Sequence, residues 1–270
     1  MEENLVDVNV AEDSAKQYKL WQIFAIWLGA GIPMWVLGWL VYPAVSDGMG
    51  VAEAGKLRFA LMAIGLIWQF VLSMIILYRE EGNIRIQTIR NRFWLNHPVS
   101  PKTGKTNKKL WWLLLPFGVL LGLCEGAISP VINSVWVKLL PFFAEPAGYA
   151  AQTLFTTELK TQFVGDWGFF VLIVVMLTFN TFLGEEFIFR GILLPKMKGV
   201  FGKWDWVANG VGFAFYHFHQ PWMIPGGILA GLVFAFTGKK YHSNWFPIIL
   251  HSFQSVLMIF MVLGLVLGLA

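Results

Sequence analysis

Successive apolar runs of membrane-spanning length leave this chain little choice of fold. A helix crossing the hydrocarbon core needs about 20 mainly apolar residues. Leu20–Tyr42 and Leu57–Tyr78 meet that length, and Pro247–Leu269 supplies a last full span. Leu110–Cys124 is apolar and extends past Glu125 toward Val137, while Gly165–Leu194 is one long apolar run with charges near its end. Trp206–His219 and Gly226–Thr237 are short and read as tilted spans or as a hairpin buried among longer helices. Val131–Phe143 is amphipathic and reads as a further span or an interfacial helix. Composition agrees: hydrophobic residues make up 57% of the chain and charged residues 13%. That is more apolar surface than a soluble domain of this size can cover. The expectation is an all-α polytopic transmembrane helix bundle with about seven to eight membrane segments and no soluble domain. Disordered, collagen-like and disulfide-rich secreted classes are excluded, and Cys124, the only cysteine, allows no intrachain disulfide.

Charge sets the orientation. Arg79–Lys109 carries Arg79, Arg85, Arg90, Arg92, Lys102, Lys105, Lys108 and Lys109 against Glu80 and Glu81. Pro195–Asp205 carries Lys196, Lys198 and Lys203, and the turn after Thr237 carries Lys239 and Lys240. Pro43–Lys56 and Ala144–Asp166 are acidic or neutral. Alternating spans put the three basic loops on one side with the N-terminus, the cytoplasmic side by the positive-inside rule. The net charge of +4 then reflects loops facing an anionic leaflet, and no nucleic-acid partner is called for. Met1–Lys19 is polar and acid-rich, unlike a signal peptide, and reads as a tail. The chain divides into this tail (1–19), N-terminal spans with the basic loop 79–109 (20–164) and a C-terminal membrane core (165–270). The expected location is a multi-pass place in a prokaryotic cell membrane, or in the endoplasmic reticulum if the source is eukaryotic.

Ionisable residues inside spans are costly and usually functional. They fall in three sets: Gly184-Glu185-Glu186-Phe187-Ile188-Phe189-Arg190, Phe213-Ala214-Phe215-Tyr216-His217-Phe218-His219, and Pro247 through His251 to Gln254 and Ser255. At about 1.5 Å rise per residue, Glu185, His217 and His251 lie about 14, 15 and 12 Å inside their helices. One carboxylate and two imidazoles at one depth suggest a common site. Glu186 and Arg190, four apart, can pair on one helix face, while Glu185 is turned about 100° away and left unpaired. A desolvated carboxylate of that kind suits general acid–base work. His217 and His219, two apart, cannot share a face, so one of them reaches Glu185. His219 is expected near the far end of a short helix as a packing residue. The many Trp residues near span ends read as interfacial anchors, and Gly226 and Gly227 as close helix contacts or a bend.

Glu-Glu-x-x-x-Arg, then Phe-x-x-x-His, then a Pro-led helix carrying His, in this order, resembles the CPBP family. That family of membrane-embedded proteases includes the CAAX prenyl endopeptidases and bacterial Abi proteins. The resemblance covers the chain from Asp166 on. It implies a glutamate-based intramembrane endopeptidase in which Glu185 and His217 activate the attacking water. It further implies that His251 and the residue four later line an oxyanion hole, with Glu186 and Arg190 structural or positioning. That later residue is commonly Asn in the family and is Ser255 here, with Gln254 beside it. The reaction would be peptide hydrolysis without an acyl-enzyme, on membrane-bound or lipid-modified polypeptides, including prenylated CAAX-type proteins, reached through a cytoplasmic-side cavity. Membrane lipids are the other expected partners; oligomeric state is unspecified. The Glu–water chemistry needs no cofactor. Zinc is possible, since Glu and two His are zinc ligands, but the His-Glu-x-x-His spacing of helical zinc proteases is absent.

Two other classes fit some of these features. Ser255 would suit a catalytically inactive relative acting as a membrane binding or bacteriocin-immunity protein. Glu and His in spans also serve proton-coupled transporters, though no inverted repeat supports that reading.

Overall fold

The structure is a computed structural model that describes residues 16–150 and 156–269. Residues 1–15 of the expected tail and 151–155 of the Ala144–Asp166 loop lie outside the described residues. Among the described residues the chain is helical, with no strand and a single antiparallel bridge between Val99 and Thr106. Among the described residues, six helices are long and apolar enough to cross a membrane: α1 (Leu20–Ser46), α2 (Val51–Glu81), α4 (Lys108–Leu139), α5 (Trp167–Lys196), α7 (Pro221–Tyr241) and α8 (Trp245–Val266). The short α3 (Ile86–Arg92) lies in the basic loop, and α6 (Asp205–Tyr216) is a twelve-residue half-span. The protein is therefore an all-α, multi-pass integral membrane bundle.

The segments expected at Leu110–Cys124 and Val131–Phe143 are largely one continuous helix, α4. A wide π-helical turn at Cys124–Ile128 joins its halves just before Pro130. Pro lacks an N–H and its ring crowds the carbonyl four residues back, and a widened turn relieves both constraints. The same device occurs in α1, where the π-helical turn Leu37–Val41 precedes Pro43.

The bundle has two distinct ends. Glu80 at the end of α2 takes hydrogen bonds from Tyr18 and Arg92 and an ion pair from Lys196 at 2.8 Å, and Lys239 pairs with Asp205 at 2.9 Å. The three basic loops thus share one end, here called the basic end. At the other, Lys56 pairs with Asp166, the Tyr42 hydroxyl donates to Gly148 O at 3.2 Å and the Trp136 indole to Pro221 O at 3.0 Å.

Half of the α7 span is buried against 17% for α1 and α4, so α7 is central and the other two face lipid along most of their length. Helices α6 and α7 meet backbone to backbone. A Cβ on Gly231 would sit 2.5 Å from Gly210 O, and one on Gly210 would sit 2.8 Å from the Gly231 backbone. Small residues let helices meet at backbone distance. That contact fixes α6, which carries His217 at its end.

Candidate active site

The helix that carries the carboxylate pair is not regular. Two π-helical stretches, Phe179–Gly184 and Phe187–Leu193, flank Glu185 and Glu186. A residue with a side chain could not close the first. A Cβ on Gly184 would lie 2.4 Å from Phe179 O and 2.8 Å from Leu66 O of α2. Widened turns of this type concentrate at functional sites because they re-aim side chains.

Glu185 is 2% exposed. Its Oε1 accepts from the Tyr216 hydroxyl at 3.0 Å and lies 3.6 Å from His217 Nε2. Its Oε2 lies 3.8 Å from His251 Nε2 and, among the described residues, accepts no hydrogen bond. Behind Tyr216, the Gln69 amide of α2 donates to the phenol oxygen at 2.8 Å.

His217 does not sit mid-helix, because α6 ends at Tyr216 and the ring caps it. Its Nδ1 is 2.9 Å from Phe213 O, one of the carbonyls a helix end leaves without a partner. A carbonyl only accepts, so Nδ1 carries the proton, and in the neutral form of the ring Nε2 presents its lone pair toward Glu185.

Glu186, fully buried, receives His251 Nδ1 at 2.9 Å and Arg190 Nη1 at 3.3 Å on one oxygen. Arg190 is also fully buried, donates to Gly231 O at 3.3 Å and lies 4.2 Å over the Phe213 ring. The expected pair between Glu186 and Arg190 is present. Its added feature is His251, which touches both carboxylates. Glu186 holds the His251 ring in one orientation and can stabilise its doubly protonated form, the usual service of a carboxylate behind an imidazole.

Five of the expected residues, Glu185, Glu186, Arg190, His217 and His251, therefore converge. Ser255 does not join them. It is buried one turn further along α8 and lines a neighbouring cavity. Glu185, His217 and His251 line a cavity of about 410 Å³, into which α8 sends Gln254, hydrogen-bonded to Glu125 of α4. His219, expected as remote packing, is buried, stacks on His217 at 5.5 Å between ring centroids and lines the same cavity. Sequence reasoning passed over Gln69, Glu125 and Tyr216. The first two carried a usable signal, a polar or ionisable residue inside an apolar run. Tyr216 was hidden among aromatic neighbours.

Among the described residues no group of three or more His, Cys, Asp or Glu side chains is arranged to hold a metal ion. What the arrangement can do is move protons, since Glu185 sets one oxygen beside the His217 ring and its other, which has no donor among the described residues, beside an imidazole backed by a second carboxylate.

No curated protein and no solved structure matches the chain. A family model does, that of the Type II CAAX prenyl endopeptidase Rce1-like proteins, over residues 167–257. The matched stretch runs from the start of α5 to the middle of α8 and contains Glu185, Glu186, Arg190, His217 and His251. Residues 167–257 are thus an Rce1-like domain of the CPBP family, a family of CAAX-type intramembrane proteases.

Proposed function

We propose that this protein is an intramembrane endopeptidase that hydrolyses peptide bonds of membrane-bound or lipid-modified polypeptides with a water activated by Glu185 and His217, and that residues 165–270 are its catalytic core. One observation carries the reading. The Glu185 carboxylate, 2% exposed, faces His217 at 3.6 Å and His251 at 3.8 Å on the wall of a 410 Å³ cavity inside the bundle.

In the proposed sequence a water between the peptide carbonyl and Glu185 gives up a proton as its oxygen attacks the carbonyl carbon. The free Oε2 of Glu185 takes that proton, assisted by the His217 Nε2 lone pair. The carbonyl oxygen becomes an oxyanion that His251 Nε2 stabilises when the ring is doubly protonated, a form Glu186 supports. Return of the proton to the leaving nitrogen breaks the C–N bond and yields a free carboxylate and an amine. Gln254, on the cavity wall, has one amide N–H beyond the one it gives Glu125, and this is the second donor available to the oxyanion, in the part the resemblance gives to the residue at 255. Glu186 and Arg190 position the site without touching substrate. Membrane lipids and a membrane-bound or lipidated polypeptide are the partners this reading requires.

The test uses the full chain in liposomes with a panel of quenched fluorescent peptides, prenylated and unmodified. The expected result is cleavage by the wild type and none by Glu185→Gln, with unchanged thermal unfolding. Equal cleavage by both proteins would remove Glu185 from the chemistry. Specific binding of a peptide with no turnover would favour the binding-protein reading.

A further inference from the structure

The cavity that holds Glu185 adjoins a second one of about 490 Å³, and the two share Met62, Asn180, Gln220, Met223 and Gln254 on their walls. On α2 and α7 the lining reaches the helix end opposite the basic loops, at Val51 and Trp222, and on α5 and α8 it stops short of both ends. On α5 the lining residues are Met176, Leu177, Asn180 and Glu185, with none between Glu185 and the basic end at Lys196. On α8 they run from His251 to Met258, with none nearer the basic end at Trp245. On α2 they run from Met62 to Val51, the first residue of the helix at the end opposite the basic loops. On α4 they begin at Glu125, well past the basic end at Lys108.

Toward the basic end the bundle is closed. Phe189, Ile192 and Leu193 are at most 2% exposed, and Phe93 of the basic loop packs edge-on against Phe187 at 4.7 Å between ring centroids. Phe93 also fills the space beside Gly191, and buried Asn244 closes on Glu186 O at 3.2 Å. From Met62 to Val51 the second cavity spans about 16 Å of helix, and its far walls include Glu145 and Gly148 of the loop at the non-basic end.

We infer that the candidate site is reached from the membrane face opposite the basic loops, through the second cavity. By the positive-inside rule that face is extracytoplasmic. The substrates are then polypeptides whose scissile segment lies in the outer leaflet or outside the cell, not those presented on the cytoplasmic side, which the sequence alone suggested. The identity of the traveller as a substrate rests on the endopeptidase reading; the direction of access does not.

The experiment is side-specific thiol labelling of the full chain in a Cys124→Ala background, using a charged, membrane-impermeant maleimide on sealed vesicles of both orientations. Met258→Cys reports the second cavity and Thr106→Cys the basic loop; Met223→Cys, on the shared wall, repeats the measurement at another helix. The expected result is an inverted pattern. Met258→Cys and Met223→Cys label in vesicles where Thr106→Cys is protected, and are protected where it labels. Labelling of the cavity thiols from the same face as Thr106→Cys, or from neither face, overturns the inference. Labelling needs no turnover, so adding Glu185→Gln leaves the pattern intact, and loss of the endopeptidase reading is seen separately in the peptide assay.

Discussion

Tyr216 donates its hydroxyl to Glu185 Oε1 at 3.0 Å while accepting from Gln69 at 2.8 Å, so one phenol ties α2, α6 and α5 together at the carboxylate. All three side chains are buried, and Tyr216 does not line the cavity. Its role is to fix Glu185, not to touch substrate. Tyr216→Phe keeps the ring and removes the hydroxyl, leaving Gln69 without its acceptor and Glu185 with one donor fewer. A hydrogen bond to a charged group is worth about 1.5–3 kcal/mol, which corresponds to about 10–100-fold in rate if it acts in the transition state. Steady-state kinetics should show that fall in kcat with KM held. A rise in KM alone would mean that the phenol contacts substrate instead.

Arg190 and Glu186 form a pair that burial makes expensive to break and cheaper to remove whole. Arg190→Met leaves the Glu186 carboxylate buried with only His251 opposite it, and removing one partner of a buried pair costs about 3–5 kcal/mol. Glu186→Gln with Arg190→Met removes both charges. Thermal unfolding in detergent should show Arg190→Met strongly destabilised and the double variant recovering much of the loss. Strictly additive losses would mean that the two charges do not support each other.

Much of this centre was legible before any coordinates. The carboxylate pair, Arg190, His217 and His251 stand out because ionisable groups in apolar runs are rare, and the i, i+4 spacing of Glu186 and Arg190 pairs them in the structure as it does on paper. Depth arithmetic also succeeded in bringing three helices to one level. What the pattern did not show is where each helix widens or ends. The π-helical turns around Glu185 follow from tertiary contacts, such as the Leu66 carbonyl against Gly184, that a periodic pattern does not record, while the turn at Cys124–Ile128 answers to Pro130. The end of α6 at Tyr216 changed His217 from a mid-helix residue to a cap. Ser255 shares the His251 face of α8 but lies one turn further along it, which sets it on the wall of the second cavity.

Asp166 makes stability depend on pH at the non-basic end. Its carboxylate takes a hydrogen bond from Lys56 and another from the Phe169 N–H at 2.9 Å, capping α5. The Lys56 hydrogen bond, then the cap, hold its pKa below the ordinary Asp value. A depressed carboxyl pKa stabilises the fold above the unfolded-state value of about 3.9 and loses that contribution as pH falls through the folded value. The group is partly exposed, so the effect is small. The unfolding temperature of the wild type should decline between about pH 5 and pH 3, and Asp166→Asn should decline less over the same window. Parallel curves would show that the pair contributes nothing.

The backbone contact between Gly210 and Gly231 links packing to chemistry. A methyl group on Gly231 would stand 2.5 Å from Gly210 O and 3.1 Å from the Phe213 ring, and the Gly231 carbonyl is the acceptor for Arg190. Gly231→Ala must push α6 away from α7. That moves His217, which α6 carries, and weakens the hold on Arg190. Overpacking of this kind costs about 1–3 kcal/mol. Gly212 on the same helix is the control, because its Cβ would meet only the Trp27 ring at 3.9 Å, an ordinary contact. Alanine there gains up to about 1 kcal/mol in helix propensity. Gly231→Ala should therefore lower both unfolding temperature and peptide cleavage, and Gly212→Ala should preserve cleavage at equal or higher stability. If both variants behaved alike, the close approach of α6 and α7 would not be what holds His217 against Glu185.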